Sequence, residues 1–249
     1  MNLNPFSLAG KTIFITGASS GIGKAVAIEC SKMGAMTIIN GRNKERLEDT
    51  LSLLEGDGHK LILADFQKED GVSSIVENIE TIDGIVHCAG ISKPLPFQFI
   101  NNSVLSEVLT VNFIVPALLS QQIIKSKKLK KGGAIVFISS ISGVVCSSVG
   151  GSIYSASKGA INGLIKGMAL DLAHKGIRVN SILPGMIETS FLNGSSISRE
   201  QLDIDKKKYP LGRYGKPEEV AYAVIYLLSD ASVWITGSNI VIDGGYTLT

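Results

Sequence analysis

A tyrosine and a lysine stand four residues apart, at Tyr154 and Lys158, and together could exchange a proton with a substrate. On a helix, residues spaced in this way share one face. An unperturbed phenol titrates near ~10, and a close opposite charge lowers a pKa by roughly 1–3 units. The lysine would therefore bring Tyr154 towards the range in which a phenol donates or accepts a proton near neutral pH. Taken alone, the spacing fits an exposed helix turn equally well, so the surrounding motifs must decide.

A glycine-rich turn containing Gly17, Gly21 and Gly23 follows the first apolar segment and precedes a predicted helix. Glycines let the backbone turn sharply and approach a pyrophosphate, to which the helix N-terminus offers free N–H groups and a positive dipole end. The spacing is Gly-x-x-x-Gly-x-Gly, not the more familiar Gly-x-Gly-x-x-Gly. Its position between strand and helix predicts a nucleotide site in preference to a purely structural turn.

The end of the second predicted strand reads Gly41-Arg42-Asn43. Folds that prefer NAD usually place an acidic residue there to bind the ribose 2′-hydroxyl. An arginine would instead favour the 2′-phosphate of NADP through charge-assisted hydrogen bonds. We therefore predict NADP(H) as the preferred cofactor, with NAD(H) possible; the alternative is that Arg42 is a solvated residue beginning the next helix. Asp65, after the third strand, is placed either to contact the adenine or to cap a helix.

Strand-like and helix-like segments alternate along the whole chain and would position these residues. The predicted strands are 11–16, 36–40, 60–64, 84–88, 134–139, 178–183 and 239–242. Helices are predicted from the glycine turn to about residue 33 and over 44–54, 68–79, two stretches within 103–128, 154–175 and 217–228. The strands are uniformly apolar, which suits parallel strands buried on both faces. The prediction is an α/β fold: a Rossmann-like, doubly wound parallel sheet of about seven strands with helices on both faces, forming a single domain over residues 1–249.

Composition excludes several classes of protein. The chain has 249 residues, 45% of them hydrophobic, and a net charge of +2, so it can bury a large core and has no charge block suited to nucleic acid or an anionic membrane. No signal peptide and no apolar run approaching ~20 residues are recognisable. The three cysteines and three histidines are scattered, which predicts reduced thiols, no metal site and a cytoplasmic location. The stretch 184–210 lacks the hydrophobic periodicity of a helix or a strand. Because loops of this length in compact domains are usually functional, it is expected to form a lid.

These features together resemble the short-chain dehydrogenase/reductase family, and within it the bacterial 3-oxoacyl-ACP reductases. The resemblance covers essentially the whole chain. It is carried by Thr16–Gly23, His87-Cys88-Ala89-Gly90, Val111-Asn112, Ser139-Ser140, Tyr154–Lys158, Pro184-Gly185, Pro210-Leu211-Gly212-Arg213, Lys216–Val220 and Ile242-Asp243-Gly244-Gly245.

The resemblance implies roles for a catalytic set of four residues. Tyr154 would be the general acid in reduction and the general base in oxidation. Lys158 would lower the tyrosine pKa and bind the nicotinamide ribose. Ser140 would hold the substrate carbonyl oxygen, with Ser139 as the alternative serine, and Asn112 would support a water chain to Lys158. The implied cofactor contacts are Gly17, Ser19, Ser20, Gly21, Ile22, Gly23, Arg42, Asp65, Phe66, Ala89, Gly90, Asn112, Tyr154, Lys158, Pro184, Gly185, Ile187 and Thr189.

The implied activity is an NADPH-dependent carbonyl reductase acting on 3-oxoacyl thioesters. The alternatives are a dehydrogenase of a sugar, polyol or other secondary alcohol, and a cofactor-binding regulator without turnover, which the intact catalytic set disfavours. The family also implies a homotetramer and a small-molecule substrate that an acyl-carrier protein could deliver. Five lysines between positions 125 and 131 could dock such a carrier, although cations also favour a helix C-terminus.

Three positions depart from the family pattern. Cys88 stands where the family usually has an asparagine that braces the central sheet. Ser140 and Tyr154 are 14 positions apart, one more than is common, which is expected to enlarge the loop over 146–153 beside the substrate. Ser20 replaces a basic residue that many NADP-binding members carry, so the preference for NADP depends mainly on Arg42.

Overall fold

Seven strands pair in parallel in the order β3-β2-β1-β4-β5-β6-β7. The computed structural model of the protein describes residues 4–68, 70–189 and 199–248. The strands are β1 (Thr12–Thr16), β2 (Met36–Gly41), β3 (Lys60–Leu63), β4 (Ile82–His87), β5 (Leu129–Ile138), β6 (Arg178–Pro184) and β7 (Asn239–Ile242). The predicted doubly wound parallel sheet is therefore confirmed.

Helices cover both faces of this sheet. They are α1 (Gly21–Lys32), α2 (Lys44–Leu51), α3 (Gly71–Asn78), α4 (Asn102–Leu109), α5 (Val115–Lys125), α6 (Ser152–Leu172), α7 (Arg199–Lys206) and α8 (Pro217–Leu228). Short 3-10 turns lie at Phe97–Phe99, Ala173–Lys175, Asp230–Ser232 and Tyr246–Leu248. The predicted lid, 184–210, falls partly on residues 190–198, which lie outside the described residues.

The core consists of two apolar layers, one on each face of the sheet. All five residues of β1 are buried, because a central parallel strand is covered on both sides. One layer packs β-strand residues such as Ile15 and Val86 against α1 and α8. The other packs Phe14 and Ile85 against helices that include α3, α5 and α6. This sandwich fixes the carboxyl ends of the strands, where the predicted motifs lie.

A π-helical turn, Thr110–Ile114, joins α4 to α5 and makes one continuous helical stretch over Asn102–Lys125. The stretch has 24 residues and is strongly apolar. By length and composition it could cross a membrane, although the sequence analysis recognised no apolar run approaching ~20 residues. Core helices meet the same criteria, and Val108, Asn112 and Leu119 of this stretch are buried in the protein. We therefore interpret it as a packed helix.

Candidate active site

The predicted motifs converge at the carboxyl edge of the sheet, where ligands bind in doubly wound folds. The glycine turn follows β1, Ala89 and Gly90 follow β4, and Ser140 follows β5. Parallel strands bring these loops together because their carboxyl ends all point the same way.

The glycine turn can be built only with glycine at two of its positions. Gly17 has φ +67°, and a Cβ on it would lie 2.7 Å from the Ala89 backbone. A Cβ on Gly23 would lie 2.3 Å from the carbonyl oxygen of Gly17. Ser20, at the N-cap of α1, makes no side-chain capping hydrogen bond, so the first N–H groups of α1 have no side-chain cap. A glycine-rich turn against a helix N-terminus that has no side-chain cap fits a pyrophosphate.

Thr16 ties this turn to the neighbouring strand. Its hydroxyl oxygen accepts hydrogen bonds from the backbone N–H groups of Cys88 and Ala89, each at 3.2 Å. These bonds hold the ends of β1 and β4 together at the site where Cys88 replaces the family asparagine. Thr16 thus braces this part of the sheet through backbone groups, independently of the side chain at position 88.

The end of the groove beside β2 carries Arg42, whose side chain is exposed. Ser19 of the glycine turn lies close by, with its Oγ 3.3 Å from the position of a Cβ on Gly41. Ser19 and Arg42 thus both lie at the carboxyl end of β2, the region expected to receive the ribose 2′-phosphate. The alternative that Arg42 is merely solvated stays open on this geometry.

Asp65 does not cap a helix, so that alternative is wrong. The N-cap position of α3 is Asp70, and the Asp65 carboxylate instead accepts the N–H of Gln67 at 3.0 Å in a local turn. The side chain of Phe66 is buried in the apolar layer beside Ile62 and Ile75. Only its backbone is therefore suited to a cofactor contact.

Tyr154 and Lys158 lie one turn apart on α6, with the lysine Nζ 5.7 Å from the centroid of the tyrosine ring. Lys158 is buried and donates a hydrogen bond to the carbonyl oxygen of Ile138 at 2.8 Å. The Ser140 hydroxyl accepts the N–H of Ser142 at 3.1 Å and interacts with Tyr154. Proton donor, cation and hydroxyl are thus brought together.

The choice between the two serines has a structural basis. Ser139 donates to the carbonyl oxygen of Lys158 at 3.2 Å and accepts from the Asn162 side chain at 3.0 Å. It is therefore occupied in anchoring β5 to α6. Ser140, with its side chain beside Tyr154, is the one available to a substrate.

Burial, not the lysine, dominates the titration of this pair. Burial raises the pKa of Tyr154, and the hydrogen bond with Ser140 opposes the rise. Burial lowers the pKa of Lys158 to about 8, against a smaller opposing effect of Cys88. That Lys158 lowers the tyrosine pKa stays a prediction, since the effects on Tyr154 seen here are those of burial and of Ser140.

Asn112 lies in the π-helical turn and is fixed by three hydrogen bonds. Its side chain accepts the N–H of Ile91 at 2.8 Å and donates to the Ile91 carbonyl at 2.9 Å and to the Ser157 hydroxyl at 3.0 Å. A Cβ on Gly90 would lie 3.4 Å from the Asn112 Oδ1 and 3.5 Å from the Lys158 Nζ. The two side chains therefore flank the same glycine. π-Turns often occur at functional sites.

The segment after β6 closes the other side of the groove. Pro184 ends β6, and Gly185 donates its N–H to the Ile242 carbonyl at 2.9 Å. Ile187 is buried and pairs with Gly215 in an isolated β-bridge. Thr189 lies over the glycine turn, since a Cβ on Gly21 would be 3.2 Å from its methyl group. The predicted nicotinamide contacts thus face the predicted pyrophosphate contacts.

His87, in the motif at the end of β4, has a structural role next to the site. It is buried, stacks on Phe137 with ring centroids 4.6 Å apart and shares a 2.8 Å hydrogen bond with Ser120. Its Nδ1 has no hydrogen-bond partner, and burial lowers its pKa to about 3. It braces the end of β4 against α5 as a neutral ring. A lone histidine in an apolar strand gives no signal of this.

Two lysines of the cluster between positions 125 and 131 make structural contacts. Lys128 donates to the carbonyl groups of Val76 and Ile79 at the end of α3, and Lys130 pairs with Asp83 at 2.9 Å. The cluster lies at the amino end of β5, opposite the carboxyl end that leads into Ser139 and Ser140. It is therefore at the other edge of the sheet from the predicted catalytic residues of the same chain. Elsewhere in the described residues, no group of three or more metal-ligating side chains could hold a metal ion.

Comparison with known proteins agrees with this geometry. Residues 17–247 match the family described as enoyl-(acyl carrier protein) reductase. The solved structure of a short-chain dehydrogenase/reductase from Serratia marcescens superposes with a TM-score of 0.88 at 30% identity, covering 96% of this chain and 99% of that one. The chain belongs to the short-chain dehydrogenase/reductase family. It is therefore an NAD(P)-dependent oxidoreductase of CH–OH and C=O groups, as predicted.

Two further relatives bear on the substrate of this short-chain dehydrogenase/reductase. The 3-oxoacyl-(acyl-carrier-protein) reductase FabG of Rickettsia prowazekii (strain Madrid E) is 34% identical over 238 residues, which are 96% of this chain and 97% of that protein. A putative 2-deoxy-D-gluconate 3-dehydrogenase from Agrobacterium tumefaciens, crystallised with bound NADP, has a TM-score of 0.87 at 28% identity and covers 99% of this chain and 100% of its own.

Proposed function

We propose that the chain is an NADPH-dependent carbonyl reductase whose substrates are 3-oxoacyl thioesters. The observation that carries the proposal is the convergence of Ser140, Tyr154 and Lys158 beside a glycine turn shaped for a pyrophosphate. A bound nicotinamide supplies the hydride in reduction and accepts it in oxidation.

The chain's own residues supply the proton and the positioning. The Tyr154 hydroxyl, kept protonated by burial, donates to the substrate oxygen as negative charge develops there. The Ser140 hydroxyl donates a hydrogen bond to the same oxygen and so stabilises that charge. Lys158 places a cation beside the ring, and Asn112 stands across Gly90 from its ammonium, where a water between them could carry a proton.

Preference for NADPH is supported by the exposed Arg42, which directly follows β2 at a strand end that lies close to Ser19 and carries no carboxylate of its own. A guanidinium binds a phosphate in charge-assisted, often bidentate, hydrogen bonds. The structural relative with bound NADP is consistent with the same choice.

A thioester with an apolar acyl chain is supported by the rim of the groove. Phe97 and Val149 are 80% and 99% exposed, and the Leu95 N–H donates to the Gly150 carbonyl at 3.0 Å, which joins the two loops that carry them. Such apolar residues in open solvent suit an acyl chain better than a sugar. The similarity to a carrier-dependent reductase points the same way. The gluconate-type relative supports a sugar or polyol dehydrogenase as the second candidate.

A substrate panel tests the proposal. Oxidation of NADPH and of NADH would be followed with acetoacetyl thioesters, keto sugars and simple ketones under one set of conditions. We expect the highest kcat/KM with NADPH and a 3-oxoacyl thioester. Higher values with a keto sugar would replace the first candidate by the second, and no turnover with intact cofactor binding would favour a regulator.

We further propose a cytoplasmic homotetramer that binds neither nucleic acid nor membrane. Its support is a set of apolar side chains exposed on α6 and on the helical stretch 102–125, namely Ile114, Leu118 and Leu170. Burial of such residues between copies would also account for the high hydropathy of that stretch. Light scattering coupled to size-exclusion chromatography measures the assembly directly.

A further inference from the structure

One carboxylate on α4, that of Glu107, joins two loops at the rim of the proposed cofactor groove. Gln67, in the loop after β3, donates from its side-chain amide to the Glu107 Oε1 at 3.1 Å. Lys93, in the loop after β4, forms an ion pair with the Glu107 Oε2. The hydrogen bond from Lys93 chiefly lowers the pKa of Glu107, and Gln67, the charge of Lys93 and that of Arg42 add to this effect.

Both loops carry proposed cofactor contacts close to their bond with Glu107. Gln67 is two residues beyond Asp65 and donates its backbone N–H to the Asp65 carboxylate at 3.0 Å. Lys93 is three residues beyond Gly90, which lies beside Asn112 and Lys158. Loss of the Glu107 carboxylate would therefore free both loops. It would affect Asp65 on the adenosine side of the groove and Gly90 on its nicotinamide side.

The Glu107 contacts are poorly suited to a purely stabilising role. The side chains of Lys93 and Glu107 are 44% and 29% exposed. Exposed ion pairs typically contribute little to stability, because water screens the two charges. Holding two otherwise separate loops at a fixed distance, however, removes conformational freedom that a ligand would have to order on binding.

We propose that Glu107 is a positioning residue for the cofactor, which holds the loops after β3 and β4 in their binding arrangement through Gln67 and Lys93. The inference rests on the proposed function, because it takes this groove to bind a nicotinamide dinucleotide. It predicts that the affinities for NADPH and for NADH depend on Glu107 equally, since neither loop contacts the 2′-phosphate. In this respect Glu107 differs from Arg42.

The test measures cofactor binding without substrate. Dissociation constants of NADPH and NADH would be obtained by fluorescence titration of the full-length wild type and of Glu107→Ala, Lys93→Met and the double variant. We expect Glu107→Ala to raise both dissociation constants by the same factor, about 3- to 10-fold, with kcat at saturating cofactor unchanged. Lys93→Met should raise them to a similar or smaller extent, and the double variant should be no weaker than Glu107→Ala alone, because the two side chains act as one unit.

The control is Glu48→Ala, which breaks another exposed ion pair, Lys44–Glu48, at 3.7 Å on α2. Its melting temperature should match that of Glu107→Ala, and its cofactor affinity should match that of the wild type. Unchanged affinities in Glu107→Ala would overturn the inference alone, as would a change confined to NADPH, which would point to an electrostatic effect through Arg42. Absence of cofactor binding to the wild type would overturn the proposed function and the inference together.

Discussion

The Lys158 ammonium lies 5.7 Å from the centre of the Tyr154 ring while burial shifts the pKa values of the two side chains towards their neutral forms. The phenol therefore keeps its proton at neutral pH, ready to give it away in reduction. The ammonium, with a pKa lowered to about 8, is the member of the pair that titrates first as pH rises.

The reduction rate should therefore fall above about pH 8, as Lys158 loses its charge beside the ring. The folded-state pKa lies below the ordinary value of 10.5, so the unfolded chain binds more protons between these two pH values. This group's contribution to the free energy of unfolding then rises with pH across that window, so its titration does not unfold the protein. The measurement is kcat/KM for reduction from pH 6 to 10, with melting temperatures at each pH. A flat profile to pH 10 would contradict the assignment.

Replacement of Gly23 by alanine should abolish cofactor binding. The new Cβ would lie 2.3 Å from the Gly17 carbonyl oxygen, a backbone atom that can move only if the turn opens. Lys24→Ala, one residue further along α1, provides the control because it leaves the turn unchanged. Fluorescence titration with NADPH compares the two variants. Wild-type affinity in Gly23→Ala would show that the turn does not bind the cofactor.

Replacement of Arg42 by glutamate should weaken NADPH binding while leaving NADH binding nearly unchanged or improved. A charge-assisted hydrogen bond contributes roughly 1.5–3 kcal/mol, which corresponds to a ~10- to 100-fold rise in the dissociation constant for NADPH. Arg46→Glu, an exposed arginine one turn into α2, controls for the change in net charge. Equal effects of both substitutions on NADPH would leave no specific role for Arg42.

His87 should make the protein sensitive to acid. Its pKa of about 3 lies below the ordinary 6.5, so the unfolded chain binds more protons between these values and stability is lost as pH falls through that window. Between pH 6.5 and 5 this amounts to about 2 kcal/mol of unfolding free energy. Urea unfolding at both pH values should show a smaller loss in His87→Asn than in the wild type. His174→Asn, at an exposed position, should behave like the wild type.

Much of the fold was predictable because uniformly apolar strands alternate with helices, a pattern typical of a parallel sheet buried on both faces. Strand boundaries were less predictable where charged residues lie within a strand. β5 begins at Leu129. Lys130 and Lys131, which read as part of a basic cluster, lie in the irregular start of this strand, between the paired residues Leu129 and Ala134.

The site was predictable where local motifs supply its parts and unpredictable where tertiary packing decides. Ser140, Tyr154 and the glycine turn are placed by their own strand and helix. The π-turn around Asn112, the burial that raises the Tyr154 pKa and the convergence of two loops on Glu107 depend on residues distant in sequence. No single segment of the sequence indicates any of these three features.

The most direct test of the account is Tyr154→Phe, which removes one hydroxyl and keeps the ring. We expect kcat for NADPH-dependent reduction to fall by ~10²–10⁴-fold, the usual contribution of a general acid. The dissociation constant for NADPH should stay at its wild-type value, and Tyr222→Phe, at an exposed tyrosine, should keep full activity. Reduction by Tyr154→Phe at a rate close to that of the wild type would contradict the central claim that Tyr154 delivers the proton.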